Sequence, residues 1–443
     1  MKEILSAGEK IRKLRTAIGL SQEELTENVV SKSLISMIEQ GKRSLTLQTA
    51  EIIAQCLNRY YHKMGQDITA EYLMETEEDS IREEIAKDLD HLRRAINSRR
   101  ADETLVQNTF EKVMNLTQKW KLEEEYAELK ILRGNFYYDN YQYQYALKDY
   151  LDVMDHSTKV REYGQIARVY NLLGSTYQMQ MLLENAIAHY QKGFDTAMFY
   201  STDNQDKIKA QTMFNQIVCY KRLKRYDVAL THIDLFRNLK WDDPEFKIYI
   251  KQITLIEANI YRDIENWRKA EETYKSLLDE AKRLDAETLY LLYENYGLLH
   301  RNQGHKTKAL KYFEKAFKLK DEVSLNYLPE LYLYQSTCYN IEEEYEEMAT
   351  LLEQGLKLAD MISVKHMMIK VRLAYVEVFI KLKDYNSALQ QLNSVEKLVF
   401  RGVAKPLLYD LYSYYIEVYN GLGSYTEATE YAVKIRQIKH LSY

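Results

Sequence analysis

Eleven polar residues stand at matched places along the chain: Asn135, Arg168, Asn171, Gln178, Gln211, Lys221, Gln252, Asn259, Arg262, Glu294 and Arg301. Asn and Gln each carry a donor and an acceptor, so they can pair with both the N–H and the C=O of an extended backbone. Arg and Lys can take its carboxylates or its C-terminus. This is the chemistry of binding a peptide. Catalysis has no comparable set. His300, His305 and His366 lack metal-ligand spacing with one another, and there is no phosphate-cradling glycine loop and no nucleophile elbow. Acidic pairs such as Glu271-Glu272 read as solvated surface charge. The expectation is a protein without catalytic residues, metal or cofactor.

The eleven are picked out by a repeat. Ala146, Ala186, Ala229, Ala270, Ala309, Met348, Ala388 and Ala428 follow one another at spacings of 40, 43, 41, 39, 39, 40 and 40 residues. Three positions before these anchors stand Tyr143, Leu183, Tyr226, Trp267, Lys306, Tyr345, Tyr385 and Tyr425. Four after them come Tyr150, Tyr190, Ile233, Tyr274, Phe313, Leu352, Leu392 and Ala432. Large, small and large residues at those offsets suit a helix hairpin whose second helix crosses close to the first. Stacked hairpins build a concave groove lined by their first helices, and the repeat register projects the eleven polar residues onto that lining.

Composition agrees with helices throughout. In 443 residues there are 3 Pro and 14 Gly, which leaves little turn or strand chemistry, and 29% of the residues are charged, enough to coat exposed helix faces. The 39 Tyr far outnumber the 11 Phe, as fits packing rings whose hydroxyls still reach a polar partner. A net charge of −5 argues against a chain that coats nucleic acid along its whole length. Residues 1–66 nevertheless hold ten Lys and Arg against seven Asp and Glu, an excess of three positive charges, which leaves −8 for the rest. Cys56, Cys219 and Cys338 are widely separated within helical apolar patterns and read as buried free thiols. With no leader at Met1-Lys2-Glu3-Ile4 and no long uncharged apolar run, the expected location is the cytoplasm, away from the membrane.

The head, residues 1–66, reads as short helices. Ile4, Ala7, Ile11, Leu14 and Ile18 recur at helical spacing until Gly19. Ser21-Gln22-Glu23-Glu24 is a capping box that predicts a second short helix through about Asn28. Ser31 caps a third with Ile35 and Ile38 facing inward before Gln40-Gly41, and Ala50, Ile53, Ala54 and Leu57 mark a further helix beneath them. Residues 67–125 read as a helical connector and capping hairpin. Thr69 caps a short helix, Glu75-Thr76-Glu77-Glu78-Asp79 is an acidic helix start that either stays solvated or docks on the basic head, and two apolar stripes follow, Ile81 to Ile96 and Val106 to Trp120.

The stretch Leu20-Ser21-Gln22-Glu23-Glu24-Leu25, with Ser31-Lys32-Ser33-Leu34-Ile35-Ser36-Met37-Ile38-Glu39-Gln40-Gly41-Lys42-Arg43, resembles the DNA-binding domain of lambda-repressor-like, XRE-type transcription regulators. Its turn at Val29-Val30-Ser31 is one residue shorter than the common form and lacks that form's glycine. In this motif the recognition helix enters the major groove with its N-terminal residues at the base edges. The resemblance implies that Lys32, Ser33 and Met37 face bases, while Gln22, Ser36, Lys42 and Arg43 hold phosphates or fix register. Lys can donate to guanine, Ser can donate or accept, and Met can touch a thymine methyl.

Residues 126–443 resemble the tetratricopeptide class in about eight repeats, most fully at Leu173-Gly174 with Tyr177, Ala186, Tyr190 and Gly193. The period near forty exceeds that class's usual length of about 34, and later repeats carry Val376 and Ile416 where the first helix has glycine elsewhere. The expected fold is all-α, a lambda-repressor-like helix-turn-helix domain followed by a tetratricopeptide-like right-handed α-solenoid. That layout resembles the peptide-sensing quorum-sensing regulators of Gram-positive bacteria, the PlcR, NprR and Rgg types. The resemblance implies a homodimer on double-stranded, pseudo-palindromic operator DNA and a short signalling peptide in the groove. The alternative it leaves open is an array that sequesters a signalling protein such as a response regulator.

Overall fold

Ser6 opens the first helix by accepting from Glu9 N while the Glu9 carboxylate accepts from Ser6 N at 2.8 Å, a reciprocal capping box. The computed structural model describes residues 5–25, 29–97, 103–200, 204–239, 241–362, 365–399 and 406–440. The chain divides into two compact units, residues 1–160 and 161–443. Every regular element among the described residues is helical.

In the first unit, the head holds α1 (Ala7–Ala17), α2 (Lys32–Glu39) and α3 (Leu47–Tyr61). Gly19, at φ +74°, lets α1 end with the Gly19 and Leu20 amides donating back to Thr16 and Arg15 carbonyls. The capping box at Ser21 forms, with Ser21 N donating to the Glu24 carboxylate at 2.7 Å, but residues 22–25 make a turn rather than an α-helix; Thr26 to Asn28 of the expected second helix lie outside the described residues. The core of the head gathers Ile11, Leu25, Ile35, Ile38, Ile53 and Leu57.

The connector is α4 (Ala70–Met74), capped by Thr69, then α5 (Glu77–Asn97) and α6 (Glu103–Trp120). Thr76 and Asp79 cap α5 reciprocally, so the acidic run is a helix start. It also docks. The Lys10 ammonium, 5% exposed, donates to the Glu75 carboxylate at 2.8 Å and to the Tyr72 and Glu75 carbonyls, and so ties α1 to the connector. The stripes expected on α5 and α6 meet in one core of Ile81, Ile85, Leu89, Leu92, Val106, Phe110 and Val113. The unit ends with the hairpin α7 (Glu123–Asp139) and α8 (Tyr143–Val160).

The second unit continues in hairpins. They are α9 (Tyr163–Met179) with α10 (Leu183–Phe199), α11 (Gln205–Arg222) with α12 (Tyr226–Arg237), α13 (Pro244–Asp263) with α14 (Trp267–Asp279), and α15 (Ala286–Asn302) with α16 (Lys306–Phe317). Then come α17 (Leu328–Ser336) with α18 (Tyr345–Met361), α19 (Lys365–Lys381) with α20 (Tyr385–Val399), and α21 (Pro406–Gly421) with α22 (Tyr425–His440). Each second helix begins three residues before an anchor, and the eight anchors are at most 5% exposed.

The small anchor lets the helices approach, and a second pairing sets how closely. A Cβ added to Gly174 would sit 2.6 Å from the Tyr190 ring, and the same relation joins Gly134 to Tyr150 and Gly297 to Phe313. Twelve residues before an anchor and four after it, volumes trade off. Where Val376 replaces the glycine, the opposing residue shrinks to Leu392 in the same core. In the last hairpin Ala432 is only partly buried, and Tyr431 supplies the ring that packs on Tyr415 at 4.1 Å.

Candidate functional site

Ser31 starts α2 by accepting from Leu34 N, which leaves Lys32 and Ser33 in its exposed first turn. The Lys32 ammonium pairs with the exposed Glu23 carboxylate at 3.0 Å, a solvent-screened contact that a stronger acceptor can displace. Lys42 and Arg43 are exposed just beyond α2, and Met37 is half-buried on it. Two residues are engaged within the head. Gln22 Nε2 donates to the Glu39 carboxylate at 2.8 Å, which also accepts from Arg15 at 2.7 and 3.0 Å, and Ser36 Oγ accepts from Gln40 Nε2 at 3.2 Å. Gln22 thereby locks the turn to α2, holding register within the protein.

Of the polar residues projected from the repeat, Asn135 lies in the first unit and the other ten in the second. Several are spoken for by their own hairpins. Asn135 Oδ1 accepts from the Tyr150 hydroxyl at 2.7 Å, Asn259 Oδ1 from Tyr274 at 2.5 Å, and Gln178 Oε1 from Tyr190 at 2.8 Å. Asn171 Oδ1 accepts from Asn215 Nδ2 at 3.1 Å, linking α9 to α11. Arg168 is exposed, and Gln211 and Gln252 are half-buried.

Between α11 and α19 the first helices carry a polar seam. Arg262, 8% exposed, donates to Asn295 at 2.9 Å and to its neighbour Asp263 at 2.7 and 3.0 Å. Burial opposes its charge, but Tyr274 and Asp263 outweigh burial and hold its pKa above the usual value. Arg301 donates to Asn302 and to Thr337 Oγ1 at 2.9 Å. Glu294, 6% exposed, accepts from the Tyr290 hydroxyl at 3.5 Å; burial, then the charge of Glu330, pushes its pKa up to about 8. Glu330 accepts from Lys370 at 2.8 Å and Tyr334 at 3.0 Å, and Lys370 overcomes the effect of burial to hold Glu330 ionised.

A helix-turn-helix family model matches residues 11–61. The head is a helix-turn-helix domain. No curated protein matches the chain in sequence. Among solved structures the chain is similar to the apo form of the quorum sensor NprR from B. thuringiensis, at 14% identity, 87% of this chain, 99% of that chain and a TM-score of 0.54. It is also similar to the apo form of RapI, at 11% identity, 90% and 99% coverage and a TM-score of 0.52. NprR in complex with its cognate peptide NprX gives 16% identity, 81% and 99% coverage and a TM-score of 0.49. At these identities the likeness is one of fold: helix-turn-helix domain first, then tetratricopeptide-like helical repeats.

With the helix-turn-helix domain placed, Lys32, Ser33, Lys42 and Arg43 are exposed around α2. In the array, Glu330, Tyr334 and Lys370 join the seam although the sequence projection stopped at Arg301. The register already held two of them. Arg168, Gln211 and Gln252 stand eighteen residues before their anchors, and so do Glu330 and Lys370. His300, by contrast, is 5% exposed and stacks among Tyr296 and Tyr312 as core. Among the described residues no cluster of His, Cys, Asp and Glu has metal-holding geometry, and no helix is long and apolar enough to cross a membrane.

Proposed function

We propose that this chain is a transcription regulator whose helix-turn-helix domain binds operator DNA and whose hold on that DNA is switched by a short signalling peptide seated on the first helices of the array. The observation that carries the reading is the exposed first turn of α2, with Lys32 and Ser33 on its solvent-facing side inside a matched helix-turn-helix domain. The peptide half is supported by the polar seam of α11 to α19 and by the shared fold of a quorum sensor. The protein acts as a homodimer on a pseudo-palindromic site. Peptide affinity differs between the DNA-competent and DNA-incompetent arrangements, since a ligand that binds both equally shifts nothing.

Sequencing DNA captured with the protein in cells, with and without peptide-containing culture supernatant, tests the whole reading. The expected result is a set of two-fold related sites whose occupancy changes with supernatant. On a site so found, Lys32→Ala weakens binding by about 1–3 kcal/mol and relaxes the preference at one base pair. Captured DNA without a shared motif overturns the DNA half, and unchanged occupancy overturns the peptide half.

A further inference from the structure

Lys221, Arg262 and Arg301 stand eight residues before the anchors Ala229, Ala270 and Ala309, so three consecutive hairpins place a cation at one register position. Each is the penultimate residue of its first helix, α11, α13 and α15. A helix C-terminus favours a cation in its last turn, but such a cation ordinarily stays in water. These are drawn in. Arg262 is 8% exposed, Lys221 and Arg301 are half-buried, and burial lowers the pKa of both below its ordinary value while Arg262 repels each of them.

Neutralisation falls short of the charge gathered. Arg262 spends its fork on the Asp263 carboxylate and the Asn295 amide. Arg301 reaches only the neutral oxygens of Asn302 and Thr337. No hydrogen bond or ion pair reaches the Lys221 ammonium among the described residues, and Arg222 adds to the repulsion it feels. These cations, with Arg222 beside Lys221, face Asp263 and a Glu294 whose pKa, raised to about 8, keeps it mostly neutral near pH 7, so positive charge is in excess in a partly desolvated place, where an anion is bound far more strongly than in water.

We propose that the Lys221, Arg262 and Arg301 row is the seat of a carboxylate of the bound peptide, from its C-terminus or from an Asp or Glu side chain. This deepens the proposed peptide reading and rests on it. A peptide is the fitting carrier because Gln211 and Gln252, on the same first helices as Lys221 and Arg262, have the donor and acceptor that an extended backbone needs.

The test is affinity selection by the full chain from random hexapeptide pools, with bound peptides read by mass spectrometry. Four pools combine a free or amidated C-terminus with Asp and Glu included or left out. The pool carrying both carboxylate sources should yield at least about tenfold more bound peptide than the amidated, acid-free pool. The two pools with a single carboxylate source decide between C-terminus and side chain. Lys221→Gln and Arg301→Gln should each remove that preference without lowering the melting temperature, and Lys221→Arg should restore it. Equal recovery from all four pools overturns the carboxylate seat and leaves the peptide reading standing. Recovery from none overturns both.

Discussion

The Tyr274 hydroxyl donates to Asn259 Oδ1 at 2.5 Å, from the second helix of a hairpin back to the first. Tyr150 does the same to Asn135, and Tyr190 meets Ser175 at the equivalent place, fifteen residues earlier in each case. The bond explains the preference for Tyr over Phe at this packing position. A buried ring four residues past the anchor brings a hydroxyl that needs a partner, and the first helix supplies one. Asn259→Ala removes the acceptor for the fully buried Tyr274 hydroxyl proton and should cost about 1–3 kcal/mol of stability by denaturant unfolding. Unchanged stability with weakened peptide binding would instead return Asn259 to the ligand.

Gly174 and Tyr190 should behave as one unit. A Cβ at Gly174 falls 2.6 Å from the ring, so Gly174→Ala should destabilise by about 1–3 kcal/mol. Combined with Tyr190→Leu, which imitates the Val376 and Leu392 pair, the penalty should be smaller than the two single losses added together. Strict additivity in the double-mutant cycle would refute the volume trade.

Asp149 is 1% exposed and accepts from Lys130 at 2.8 Å and from both Arg133 nitrogens at 2.7 Å. Asp149→Ala strands Arg133 inside the α7–α8 hairpin and leaves Lys130 with the Asp152 carboxylate alone, and should cost about 3–5 kcal/mol, read as a lower urea midpoint. A loss below about 1 kcal/mol would mean the hairpin tolerates the uncompensated charge.

Glu294 carries a pH signature. Burial and Glu330 raise its pKa to about 8 in the folded chain, against an ordinary 4.5. The folded state therefore holds this proton more tightly than the unfolded state. Its contribution to stability is full below about pH 4.5, declines as pH rises, and is lost above about pH 8. Glu294→Gln, which stays neutral, should raise the melting temperature relative to the native protein at pH 9, by an amount equivalent to roughly 2 kcal/mol, and change little at pH 4.5. Equal effects at both pH values would show that folding leaves the Glu294 pKa unshifted.

The head and the hairpin starts were legible because their signals are local. Ser31 and Thr69 each cap the helix that follows, and a cap acts within four residues of its own position. The anchors were legible for a related reason. Whatever the curvature of the stack, a close helix crossing favours a small residue, and alanine holds seven of the eight anchors, with Met348 fixed by the spacing. The segment after Ser21 read less well: its capping box forms, yet the described residues continue as a turn, since a box sets how a helix begins and not how far it runs.

Tertiary structure decided which polar residues of the first helices are framework and which are available. Asn135, Asn259, Lys221 and Arg301 look alike in the repeat register, as uncommitted side chains near the end of a first helix. Across the hairpin, Tyr150 and Tyr274 consume the first two, while the last two meet no carboxylate. Periodicity reports the face a residue occupies. What occupies the space opposite depends on a side chain fifteen or more residues away, and only the packed hairpins bring the two together.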